Sequence, residues 1–193
     1  MKPMLTSSNG TPAGHYAFGT MQFGGSADEA ASAAMFEASR AAGITHFDTA
    51  FIYTDGASEQ ILGRLAAPER DSLTIATKVA FRGGDASELR RQFDICRRRL
   101  DMDMVDILYL HRYDGEAPFE HVMDTFAGFR EAGQIRYIGL SNLAAWQVMK
   151  MQAVARGMGL RIDIIQPMYN LVKRQAEVEI LPMASDQGIA VAP

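Results

Sequence analysis

Seven short apolar runs, separated by stretches of helical character, restrict the folds open to this chain more than any other feature. The runs cover residues 16–23, 44–48, 73–79, 104–111, 135–141, 164–169 and 189–193, lengths that suit strands. Between the first two, Ser26-Ala27-Asp28-Glu29 reads as a capping box, and the alanine-rich run to Ala42 favours a helix. Gly43 can take the left-handed conformation that ends it. Asp85-Ala86-Ser87-Glu88 repeats the capping signature before a helix over 89–100, and the stretch 119–132 ends at Gly133 as the first helix ends at Gly43. A repeated unit of strand, loop, helix and short turn predicts an α/β fold with a parallel sheet, because parallel strands need crossovers and those crossovers are right-handed.

Barrel and open sheet both satisfy that pattern. An open nucleotide-binding sheet usually has a Gly-x-Gly-x-x-Gly turn after its first strand, whereas this chain has Phe23-Gly24-Gly25-Ser26. The expected architecture is therefore a TIM-type (β/α)8 barrel. Such a barrel typically takes about 250 residues and eight strands, so seven strands ending at Pro193 predict an incomplete one, with its C-terminal part absent. No linker or low-complexity tract divides residues 15–193, which are expected to form one domain. Residues 1–14, with one lysine among Thr, Ser, Asn and Gly, read as a loose leader without the apolar segment of a signal or membrane span.

A hydrophobic fraction of 48% with 22% charged residues is enough for a sizeable core. The formal net charge of -4, with both signs interspersed, gives no basic stripe for a nucleic acid. One cysteine, Cys96, provides neither an internal disulfide nor a structural metal site, so a reducing, cytoplasmic setting is expected. Cys96 itself reads as a helix packing residue. Arg97-Arg98-Arg99 reads as a solvated helix end favoured by the helix dipole, and Trp146, Met149 and Met151 as helix residues packed on the barrel.

Active sites of α/β barrels lie at the C-terminal ends of the strands. There the chain places Asp48, Lys78, His111, Ser141-Asn142 and Gln166, with Tyr53 in the loop after Asp48. The intervals 78 − 48 = 30, 111 − 78 = 33 and 142 − 111 = 31 each correspond to one β-α unit, so these side chains return to one rim. Taken singly, most have an ordinary reading as loop caps, aromatic cover or strand-end hydrogen bonders. Lys78 is harder to dismiss, because a lysine facing into a barrel is costly unless paired.

Phe47-Asp48-Thr49-Ala50 with Tyr53, then Ala76-Thr77-Lys78-Val79, Leu110-His111 and Gly139-Leu140-Ser141-Asn142, together resemble the aldo-keto reductases. Residues 58–63 and 166–170 add family-like stretches in the same order, and the likeness spans nearly all of 16–193. It implies an NADPH-dependent oxidoreductase acting on a small aldehyde or ketone, with a tetrad of Asp48, Tyr53, Lys78 and His111. Tyr53 would donate the proton. An ammonium beside a phenol favours the phenolate, which gives Lys78 its role; Asp48 would keep Lys78 charged, and His111 would orient the carbonyl. The same resemblance implies that Ser141, Asn142 and Gln166 hold the nicotinamide carboxamide, that Gly19-Thr20-Met21 lies against its ribose, and that Asp48 is also a cofactor contact. NADPH over NADH rests on the resemblance alone, and NADH stays open. A nucleotide-binding regulatory subunit of this fold, or an inactive fragment, fits the same residues. No membrane or nucleic-acid partner is expected, and neither substrate identity nor oligomeric state is encoded legibly.

Overall fold

Side-chain alternation explains how the sheet is built. The computed structural model describes residues 5–80, 86–113, 115 and 117–193. Its strands are β1 (Ala17–Gly19), β2 (His46–Asp48), β3 (Thr74–Ala80), β4 (Val105–Arg112), β5 (Ile135–Ser141), β6 (Ile164–Gln166) and β7 (Ala190–Val191). All pair in parallel, each beside its sequence neighbour, and curl into an incomplete barrel. Successive side chains on a strand point to opposite faces. Phe47, Ile75, Val79, Leu108 and Leu110 therefore meet the helices, while Ala76, Ile107, Tyr109 and Ile164 fill the lumen.

The helices are α1 (Glu29–Ala41), α2 (Ala57–Ala66), α3 (Ala86–Leu100), α4 (Phe119–Glu131), α5 (Ala145–Gly157) and α6 (Ile180–Gln187). Phe36 of α1 packs on Phe47 with ring centroids 4.6 Å apart. Helices α1 and α4 end as the sequence predicts, at Gly43 (φ +81°) and Gly133 (φ +68°). The start of α1 differs from expectation. Asp28 is the cap, accepting from the Ala31 amide at 2.8 Å, while the Ser26 hydroxyl donates to Gln22. A tight turn takes residues 22–27 out of helical reach: the Gly24 amide bonds the Ala27 carbonyl at 2.8 Å. The second predicted capping box begins at Asp85, outside the described residues; Glu88 binds Arg91 and Gln92. Strand β6 is shorter than its apolar run because Pro167 has no amide to continue the ladder.

Over residues 5–14 the expected loose leader is instead a packed hairpin. Ala13 donates to the Leu5 carbonyl at 2.9 Å and Ser7 to the Thr11 carbonyl at 2.8 Å. Leu5 and Ala13 are buried against Ala76, Ile107, Tyr109 and Ile164, and Arg136 of β5 holds the Thr6 carbonyl at 2.7 Å. A polar composition concealed one anchor, since burying a leucine stabilises by about 1.5–3 kcal/mol. Among the described residues, no helix is long and apolar enough to cross a membrane.

Candidate active site

Lys78 is the residue around which the strand C-termini converge. It lies on the lumen side of β3 with its side chain wholly buried. Nζ donates to Asp48 Oδ2, to the Thr49 carbonyl at 2.8 Å and to the Tyr53 hydroxyl at 3.3 Å. An ammonium has three donors, so its capacity is filled. That matters because a buried charge without such partners costs several kcal/mol. Asp48 closes β2 beside β3, and Tyr53 is half-buried.

His111 completes the cluster from β4. Its ring stands perpendicular to that of Tyr53, with centroids 5.9 Å apart. Burial, and then the charge of Lys78, push its imidazole down to about 4, so it is neutral at neutral pH and can donate one hydrogen bond. The other oxygen of Asp48, Oδ1, is buried with no hydrogen-bond partner among the described residues.

The loop bearing Tyr53 follows an unusual path. Thr54 and Asp55 both lie in the left-handed region (φ +46° and +52°), followed by Gly56 at +94°. Non-glycine residues held there cost of order ~1–3 kcal/mol each and persist only where their surroundings fix them. Fixing contacts are present. The Phe51 amide donates to the Lys78 carbonyl at 3.0 Å, the Tyr53 amide to the Ala50 carbonyl at 3.0 Å, and the Thr54 hydroxyl to the Phe23 carbonyl at 2.8 Å.

On the far side of the mouth, the Ser141 hydroxyl donates to the Gln166 carbonyl at 2.9 Å and accepts from the Asn142 amide group at 3.0 Å. Asn142 also binds the His111 carbonyl at 3.0 Å. Three strand ends, β4, β5 and β6, are thus tied together at one rim. Residues 16–193 match the Aldo/keto reductase family. This chain belongs to the aldo/keto reductase family. It is 33% identical to the uncharacterized oxidoreductase YrpG of Bacillus subtilis, over 90% of this chain and 59% of that protein. Aflatoxin B1 aldehyde reductase member 2 of Rattus norvegicus is 34% identical over 85% of this chain and 47% of its own length. Norsolorinic acid reductase of Aspergillus flavus is 29% identical, over 98% and 55%. The chain spans about half the length of the relatives it matches.

Among the expected cofactor contacts of this aldo/keto reductase, Gly19 and Met21 are exposed at the end of β1, Asn142 is exposed and Gln166 half-buried. Thr20 is different: the residue has no exposed surface, its hydroxyl is bonded to Ser58 and to the Asp48 carbonyl, and its own carbonyl accepts from the Phe23 amide and the Ser58 hydroxyl, so it is closed to a ligand in this arrangement. Two residues were not foreseen as part of this region. Glu59 is fully buried on α2, bound by Thr77 at 2.7 Å and by Arg99 at 3.2 Å. Arg99, expected at a solvated helix end, is only 23% exposed and donates to the Phe51 carbonyl at 2.9 Å. A glutamate on the apolar stripe of α2 was the available signal. Cys96 is buried beside Glu59, and burial pushes its thiol well up. Trp146, expected to pack on the barrel, is 58% exposed with Lys150 over its ring. Among the described residues, no group of His, Cys, Asp and Glu could hold a metal.

Proposed function

We propose that this protein is an NADPH-dependent reductase of aldehydes or ketones in which Tyr53 is the proton donor. The observation that carries this reading is the buried ammonium of Lys78, bonded at once to Asp48 and to the Tyr53 phenol at the strand C-termini. Family membership supports it, as do relatives named as aldehyde and norsolorinic acid reductases.

The residues fit a nicotinamide cofactor. Asp48 Oδ1, buried and without a hydrogen-bond partner among the described residues, is an acceptor that a ribose hydroxyl would satisfy, and Ser141, Asn142 and Gln166 would offer the donors and acceptors a carboxamide needs. NADPH, when bound, supplies hydride to the carbonyl carbon. The chain's own part is with the oxygen. Tyr53 gives its proton as that oxygen becomes an alkoxide, and the Lys78 ammonium stabilises the phenolate left behind. Asp48 and the Thr49 carbonyl keep Lys78 charged and fixed. His111, uncharged, donates a hydrogen bond that orients the oxygen toward Tyr53.

NADPH oxidation with 4-nitrobenzaldehyde tests the assignment. Tyr53→Phe should lose most of the rate while still binding NADPH; an unchanged rate defeats it. Saturable NADPH binding without turnover across a carbonyl panel would point instead to a regulatory role.

A further inference from the structure

The geometry assigns Arg99 of α3 a role as a positioning residue for Tyr53, exerted through a clamp on the loop that carries it. The inference rests on the reading of Tyr53 as proton donor. Nη1 of Arg99 donates to the Phe51 carbonyl at 2.9 Å and Nη2 to the Asp55 carbonyl at 3.4 Å, so one guanidinium grips the loop on both sides of Tyr53. Its planar fork makes a two-point grip possible, which a lysine cannot reproduce. The Phe51 ring lies 4.9 Å beneath the guanidinium.

The grip is anchored in the core. Glu59, with no exposed surface, accepts from Arg99 at 3.2 Å and from the Thr77 hydroxyl at 2.7 Å. Thr77 precedes Lys78 on β3, and the Phe51 amide bonds the Lys78 carbonyl at 3.0 Å. Arg99, Glu59 and β3 therefore fix the phenol and its ammonium partner against one frame. Gly56 belongs to the same device: a Cβ there would sit 2.3 Å from the guanidinium carbon, so the loop is shaped to admit Arg99. The left-handed turn at Thr54 and Asp55 is the strained element that such a clamp must hold.

Hydrogen exchange and kinetics on Arg99→Lys and Arg99→Met test this, with Arg64→Met, which removes an exposed ion pair with Glu29, as control. The Phe51, Tyr53 and Ser58 amides should exchange about 10-fold faster or more in both Arg99 variants, with β3 and β4 unchanged. In carbonyl reduction, kcat should fall by up to about 100-fold, as expected for a displaced proton donor, with NADPH affinity preserved. Loop exchange and kcat as in wild type for Arg99→Lys, or acceleration spread over the whole sheet, would overturn the proposal. Tyr53→Phe separates the two readings. Undiminished turnover there sinks the proton-donor role, and loop exchange alone then decides the clamp.

Discussion

The Asp48 carboxylate and the Lys78 ammonium form an ion pair inside the barrel mouth, the lysine side chain having no solvent exposure and the aspartate 10%. The two come from adjacent strands, and their separation in sequence, 78 − 48 = 30, is one β-α unit. Neither charge is affordable there alone. The pair is therefore a structural feature as well as a chemical one, and the two roles can be pulled apart by substitution.

Lys78→Met should destabilise the protein by about 3–5 kcal/mol, because Asp48 is left as an uncompensated buried charge. The double variant Asp48→Asn with Lys78→Met should recover much of that loss while remaining inactive in carbonyl reduction. Urea unfolding of the set measures both. A single variant within about 1 kcal/mol of wild type would mean that Asp48 relaxes into water on losing its partner.

His111 gives a pH dependence whose sign follows from its environment. Burial and Lys78 hold the folded-state value at about 4, below the ordinary 6.5. Between those two values the unfolded chain binds a proton that the folded chain does not, so stability rises with pH across that window. The contribution is complete above 6.5 and is lost as pH falls toward 4. His46, buried and also pushed down by burial, acts in the same direction. The urea midpoint of His111→Gln should consequently vary less steeply than that of wild type over this window, and parallel curves would rule the assignment out.

The parts of this molecule that were legible in the sequence share a local cause. Strand periodicity, the glycines ending α1 and α4, and the 30-to-33-residue return of Asp48, Lys78 and His111 to one rim depend on short-range pattern and on a repeat. The rest depends on partners distant in sequence. Arg99 looks like one of three solvated arginines until Glu59, 40 residues away, is seen to be buried beneath it. Ser26 loses the cap of α1 to Asp28 because a turn stabilised by the Ala27 carbonyl intervenes. Residues 5–14 are polar enough to read as loose, yet Arg136, 130 residues on, fixes Thr6.

That hairpin makes its own prediction. Leu5 is 7% exposed and packs in the lower lumen of the barrel against Ala76, Ile107, Tyr109 and Ile164. Leu5→Asp should cost at least ~2 kcal/mol, the loss of the leucine packing plus the penalty for a carboxylate in an apolar socket. Thermal unfolding reads the loss. A melting temperature equal to that of wild type would show that the hairpin peels away without consequence.

Gly139 of β5 lies directly across from Tyr109 of β4 in the sheet register, and the fit between them is a matter of space. A Cβ at Gly139 would come 2.3 Å from Tyr109 Cδ1 and 2.6 Å from Cε1, distances no pair of carbon atoms tolerates. Tyr109 is fully buried, so its ring cannot swing to solvent. Gly139→Ala should then cost about 1–3 kcal/mol through overpacking. The ring lies 5.9 Å from Lys78 Nζ, so its displacement should also disturb the ammonium and lower turnover. Tyr109→Leu, combined with Gly139→Ala, removes the clash, and the double variant should be more stable than the sum of the two single losses predicts. Additive losses in denaturant unfolding would show that the two positions do not compete for the same volume.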